Sequence, residues 1–466
     1  MSDSISHASP DTAAEARRSR AILIALMFPT LAIVMNGSMF GVALPTIRDE
    51  FLIPADTASW LAIAFSLPFM MLMPLYGRLG DELGKARLLI LGVVLYAAGS
   101  TLALLANGLP LLFLGRVVQG AGSAGITPLS MAIIAERFPE SVRGRAMGTW
   151  NSIAPASSIF APTIAGYLVD HLGWRTIFVP AIFVAVCAII IVRLQIPTLR
   201  ARPNFAFLTH FDWGGTLTLA GTIIALVLWV SSRPVTGVEP LRDWRLLLGV
   251  VVFATAFFAV ERRHARPLVD LTLWRLRSFR LASMAAFLRM CMMVGTGFLL
   301  PLYLADVYDL RASRIGLLAT LHSVALFLSI RVGGPLADRW PIRRLVSLSL
   351  AIQVVGMIYF VLLPAGQPLY LIILGTLIHG SGAGLGLAAL HRTALGGIPD
   401  EQSGAASGVY SMVRFAGSML STAIAGVILQ TGLDSGLATI QAYQVVYGVL
   451  AGLGLLGTLT ALRLRQ

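Results

Sequence analysis

This 466-residue chain is short of charge: 12% of its residues are Asp, Glu, Lys or Arg, where a soluble domain has about 25%. Lysine is nearly absent, with Lys85 the single example. The two cysteines, Cys187 and Cys291, lie inside apolar runs, which excludes a disulfide framework and a zinc site. None of the 22 acidic residues falls deep in an apolar run, Asp170, Asp212 and Asp306 standing at run ends. There is no Gly-x-x-x-x-Gly-Lys-Ser/Thr segment to cradle nucleotide phosphates. No connection is long enough for a soluble sensory domain, and no interface gathers the His, Asp, Glu or Ser cluster that a polytopic membrane enzyme needs.

What fills the chain is apolar. Hydrophobic residues make up 57% of it, enough for about a dozen or more bilayer crossings at roughly 20 residues each. Charge clusters and Gly/Pro/Asn breaks divide the chain into fourteen candidate spans. The net charge of +13 comes from arginines in short clusters between spans rather than along one helix, the pattern of cytoplasmic loops and not of a nucleic-acid surface. With the N-terminus inside, 25 of the 35 Lys and Arg fall on the cytoplasmic side, 7 on the outer side and 3 within spans. Both termini are therefore expected in the cytoplasm. The polar start carries Arg17, Arg18 and Arg20 before the first apolar run and lacks a cleavage site, so that run reads as a retained span and not a signal peptide.

A repeat sets the architecture. Gly77, Leu79, Asp81 and Arg87 recur 257 residues later as Gly334, Leu336, Asp338 and Arg344, which predicts two similar bundles. The expected all-α plan is a cytoplasmic tail (1–20), an N-terminal six-helix bundle (21–195), a linker (196–211), two inserted transmembrane helices (212–261), a linker (262–280), a C-terminal six-helix bundle (281–463) and a short tail (464–466).

Several segments carry a family likeness. Gly77-Arg78-Leu79-Gly80-Asp81-Glu82-Leu83-Gly84-Lys85-Ala86-Arg87 resembles the loop 2–3 signature of the major facilitator superfamily, and the fourteen-span plan resembles its drug:proton antiporter branch. Ala43-Leu44-Pro45, Arg116 with Gln119-Gly120, Gly173-Trp174-Arg175, Phe211-Asp212-Trp213-Gly214, Glu261-Arg262-Arg263 and Pro267-Leu268 follow in the family's order. The resemblance implies a conformational latch at Gly77, Asp81, Gly84 and Arg87, with Asp338 as its second copy, and proton coupling at Arg116 with Gln119 one turn along. Two positions depart from the branch: its common span 1 acid falls at Asn36, and its span 5 motif reads Ala161-Pro162-Thr163-Ile164-Ala165-Gly166, leaving Pro162 as the helix-bending residue.

The residues also suggest a cargo. A cavity containing Arg116, Arg289 and Arg414 but no deep acid suits neutral or anionic amphiphiles better than lipophilic cations. Asn36, Arg289 and Arg414 are the expected cavity residues. His322 and His379 lie near the middle of spans 10 and 12, and an ordinary histidine titrates near pH ~6.5, so they are the candidate proton carriers. Gly120-Ala-Gly122-Ser-Ala-Gly125 spells a dinucleotide fingerprint without a preceding strand and reads as close helix packing.

The expectation is a monomeric multi-pass protein of the bacterial inner membrane that exports hydrophobic neutral or anionic compounds by proton-coupled alternating access. Its partners would be a small-molecule substrate, protons and the lipid bilayer, with no nucleic acid, cofactor, metal or catalytic residue; a periplasmic adaptor is left open. The rival within transport is an importer of a small organic anion.

Overall fold

A computed structural model describes residues 10–196, 212–263, 269 and 271–464. The first linker, apart from Ile196, and part of the second lie outside the described residues, as do residues 1–9 of the expected tail and the side chain of Asp81. Among the described residues, fourteen helices are long and apolar enough to cross a membrane. Spans 1–6 are Arg18–Glu50, Ala55–Gly77, Lys85–Leu104, Leu109–Arg137, Val142–Leu172 and Trp174–Gln195. Spans 7 and 8 are Trp213–Val230 and Trp244–Glu261. Spans 9–14 are Arg277–Asp306, Ala312–Arg339, Ile342–Leu362, Leu369–Leu395, Ala406–Asp434 and Thr439–Ala461. The even count puts both ends of the described chain at one end of the molecule, called here the terminal end, opposite a far end.

Local chemistry sets the breaks. Span 2 belongs to a helix that runs Ala55–Leu83, so Gly77 to Leu83, expected as loop, is helix. Nothing interrupts it before Gly84, whose φ of +93° few side chains could adopt. Span 1 likewise lies in a helix starting at Pro10. Asp212 and Asp243 cap spans 7 and 8 by accepting from the amides of Gly215 and Arg245 at 2.7 and 3.0 Å, offsetting orphan donors at each helix start.

The two bundles share one packing pattern. Span 1 packs on 5 and 6, span 2 on 4, and span 3 on 4 and 6; correspondingly span 9 packs on 13 and 14, span 10 on 12, and span 11 on 12 and 14. The seams between bundles obey the same pseudo-twofold: span 2 against 13, and span 10 against 5. Spans 7 and 8 pack on each other outside this arrangement, with span 7 laid along spans 2 and 13.

Close backbone approach makes the span 5–10 seam. A Cβ on Gly316 would come 2.2 Å from the carbonyl oxygen of Pro162, and one on Gly166 would come 2.4 Å from that of Ala312. In hydrocarbon, where helix association relies on such contacts, small residues here are a requirement. Pro162 thus serves the seam with its carbonyl. Gly316→Val should lower stability by about 1–3 kcal/mol, the usual cost of overpacking, whereas Gly334→Val, with open space at its Cβ, should fold as the parent does. Thermal unfolding followed by size-exclusion chromatography of detergent-solubilised protein compares the two.

Candidate functional site

Arg116 is 3% exposed, within span 4. Its Nη1 donates to Gln119 Oε1 at 2.9 Å and to Asn36 Oδ1 at 3.2 Å, and its Nε donates to the Leu61 carbonyl at 3.2 Å. The rings of Phe40 and Phe65 lie 4.0 and 4.6 Å from the guanidinium carbon. Gln119 in turn donates to Ser100 Oγ at 2.8 Å. Neutral acceptors and π faces therefore hold the charge, with no carboxylate among its described partners. Asn36 fills the place expected for an acid by presenting its amide oxygen.

The C-terminal bundle brings the two histidines together. His322 Nε2 and His379 Nδ1 are 3.0 Å apart, and His379 Nε2 lies 3.3 Å from Thr296 Oγ1. A hydrogen bond between facing ring nitrogens needs one proton between them, so the pair presents one shared proton position. Its surroundings explain its place. A Cβ on Gly120 would meet the Phe65 carbonyl, as one on Gly380 would meet that of His322; a Cβ on Gly99 would meet Gln119, as one on Gly356 would meet His379. Phe65 and His322, like Gly99 and Gly356, are 257 residues apart. His322 and His379 are thus the repeat counterparts of Phe65 and Gln119.

Arg289, 2% exposed, donates to the Ala383 carbonyl. Arg414 Nη1 lies 3.0 Å from His391 Nε2. His391 escaped the sequence reading because Gly386 breaks span 12 into Leu369–Leu385 and Leu387–Leu395, so its direction does not follow from helical spacing to His379. Tyr410 beside it was missed for want of any signal.

Of the latch residues, the side chain of Asp81 lies outside the described residues. Arg392 donates to Asp338 within the C-terminal bundle, and Arg87 is exposed. Among the described residues, no hydrogen bond or ion pair joins the bundles at the terminal end. The far end is closed by several. Arg48 donates from Nη1 to Asp306 Oδ2 at 2.7 Å, an oxygen that also accepts from Tyr443 of its own bundle at 2.6 Å, and Asp170 accepts across the seam from the amides of Ala312 and Ser313. Arg48 and Asp306 were visible as opposite charges at nearly equivalent repeat positions.

Two like bundles closed over buried polar groups at one end define a membrane transporter. The chain belongs to the Major Facilitator Superfamily, whose family model matches residues 26–278 and 282–466. It is 28% identical to the multidrug resistance protein Stp of Mycobacterium tuberculosis over 89% of this chain and 76% of that protein. It is 25% identical to the riboflavin transporter RibZ of Clostridioides difficile, covering 86% of each. A POT family transporter solved with a thioalcohol-conjugated peptide superposes with a TM-score of 0.72 at 15% identity over 97% of both chains. A D-xylose–proton symporter superposes with a TM-score of 0.66 at 12% identity over 96% of both. These two share the fold.

The far-end pair yields a prediction. Asp306→Asn leaves Arg48 half-buried without its long-range carboxylate, which should cost the far-closed state about 1–3 kcal/mol. Spin labels at the exposed positions Leu52 and Asp309 should report a larger long-distance population in Asp306→Asn than in the parent.

Proposed function

We propose that the protein is a proton-coupled exporter of hydrophobic neutral or anionic compounds in the bacterial inner membrane, with both termini cytoplasmic. The supporting observation is the shared-proton contact between His322 and His379, set at the repeat position opposite the Arg116–Gln119 site. Arg116 and Arg414 stay protonated at accessible pH, and Asn36 does not titrate. Among the described residues the histidine pair is then the mid-span group that can gain and lose a proton as the bundles alternate, His391 lying nearer the end of span 12 against Arg414.

In this reading the terminal end is the cytoplasmic one and the structure is the inward-facing state. Gly77, Asp81, Gly84, Arg87 and Asp338 then engage the opposite bundle when the molecule turns outward. The multidrug resistance and drug efflux proteins among its relatives support export. The riboflavin transporter and the arginines support the second reading, import of a small organic anion. Counterflow in inverted vesicles separates the two, since an exporter accumulates substrate there under an inside-acid gradient.

A double variant His322→Gln, His379→Gln, reconstituted in proteoliposomes, should exchange substrate down its gradient and fail to concentrate it. Uphill transport with an unchanged pH profile would remove the histidines from coupling. Asp81→Asn should abolish transport while membrane insertion, followed by fluorescence of a fused reporter, stays near the parent level; normal transport would remove the latch. Expression in a pump-deficient host should protect against neutral and anionic amphiphiles more than against quaternary ammonium dyes, as growth inhibition across such a panel would read.

A further inference from the structure

We propose that the C-terminal bundle holds a site for the anionic head of an amphipathic substrate, the charge seated between Arg289 and Arg414 beside the Tyr410 hydroxyl. This rests on the transport reading above and names the chemistry of the cargo.

Both guanidiniums have donors to spare. Arg289 gives Nη1 to the Ala383 carbonyl, while Nη1 and Nη2 touch the sulfurs of Met293 and Met290, each at 3.7 Å. Its Nε has no hydrogen-bond partner, nor has the Nε of Arg414 or the hydroxyl of Tyr410, all three atoms being buried. Arg414 lies over the Tyr410 ring, 5.6 Å from its centroid, and the His391 ring meets the same tyrosine edge-on at 5.3 Å. His391 lies within reach of the charges of both arginines.

Five cations outside the cluster are paired with carboxylates, Arg48 with Asp306, Lys85 with Glu136, Arg175 with Glu50, Arg233 with Asp434 and Arg392 with Asp338, while Arg116 is held by neutral acceptors. Among the described residues neither Arg289 nor Arg414 has a carboxylate partner, although both lie in membrane spans, where an unpaired charge is most costly. Two like charges with unused donors make a site that an arriving anion completes, since a guanidinium binds carboxylate or sulfonate through paired N–H groups.

The remaining acceptor on Arg414 is His391 Nε2, which must be unprotonated to take that hydrogen bond. A stronger anionic acceptor would replace it and release the imidazole. Around the charges stand Met290, Met293 and Phe415, the last 6.0 Å from the Arg414 guanidinium carbon. Polarizable, unbranched methionines adapt to varied apolar bodies. The fit is therefore to one anionic group on an aromatic or aliphatic frame, in preference to a bare inorganic anion.

Calorimetric titration of the full-length protein in lipid nanodiscs tests this with naphthalene-1-sulfonate, its neutral analogue naphthalene-1-sulfonamide, and inorganic sulfate. The sulfonate should bind about tenfold or more tighter than either of the others, a difference of about 1.4 kcal/mol or more. Arg289→Gln and Arg414→Gln should each bring sulfonate affinity down to the parent's sulfonamide level, a monodisperse size-exclusion profile certifying the fold of each variant. Equal affinity for sulfonate and sulfonamide in the parent protein overturns the site without recourse to any variant. Undiminished sulfonate binding in both variants overturns it too, and sulfate binding as tight as sulfonate overturns the amphiphilic half. Binding without movement of naphthalene-1-sulfonate in proteoliposomes would refute transport and leave the site standing; movement without charge preference would do the reverse.

Discussion

The arrangement depends on positive charge held at membrane depth without carboxylates. An arginine in the hydrocarbon region is tolerated only when neighbouring groups replace its water. Around Arg116 this is done by the Asn36 and Gln119 side-chain oxygens, the Leu61 carbonyl and the faces of Phe40 and Phe65. All five contacts come from spans 1, 2 and 4, so satisfying one guanidinium ties three helices of the N-terminal bundle together. Removing any acceptor leaves a buried donor bare, which costs more than the hydrogen bond contributed.

The second bundle keeps this framework and changes its chemistry. The glycines that let spans 3 and 4 approach, Gly99 and Gly122, have counterparts in Gly356 and Gly382 of spans 11 and 12. Within that conserved backbone geometry, Phe65 has become His322 and Gln119 has become His379. A fixed charge with permanent acceptors faces a titratable pair across the pseudo-twofold axis. The N-terminal bundle thus carries a fixed charge where the C-terminal bundle carries two histidines.

How much of this was legible in the sequence depended on the range of the interaction. Exclusion of charge from hydrocarbon acts on every residue of a span, so fourteen spans could be counted. The 257-residue offset of Gly77, Asp81 and Arg87 announced two bundles, and the isolated Arg116, Arg289, His322 and His379 stood out against apolar surroundings. Pairings between spans were not legible. That His322 meets His379, 57 residues on, follows from how close Gly380 lets spans 10 and 12 come, and that Arg414 meets His391 follows from the break at Gly386. The helical course of Gly77 to Leu83 was hidden because a glycine-rich, charged segment has the composition of a loop even where no residue before Gly84 obliges the helix to stop.

The inserted pair touches both halves of the machine. Trp60 of span 2 donates to Ser231, just past span 7, at 3.0 Å, and Arg233, two residues further on, donates to Asp434 of span 13. One short stretch is therefore fastened to both bundles across the seam that must hinge. Any rocking either breaks one of these links or drags two helices sideways through lipid. If the bundles rock, spans 7 and 8 move through the bilayer with them, and the thickness and lateral pressure of the surrounding membrane then enter the balance between states.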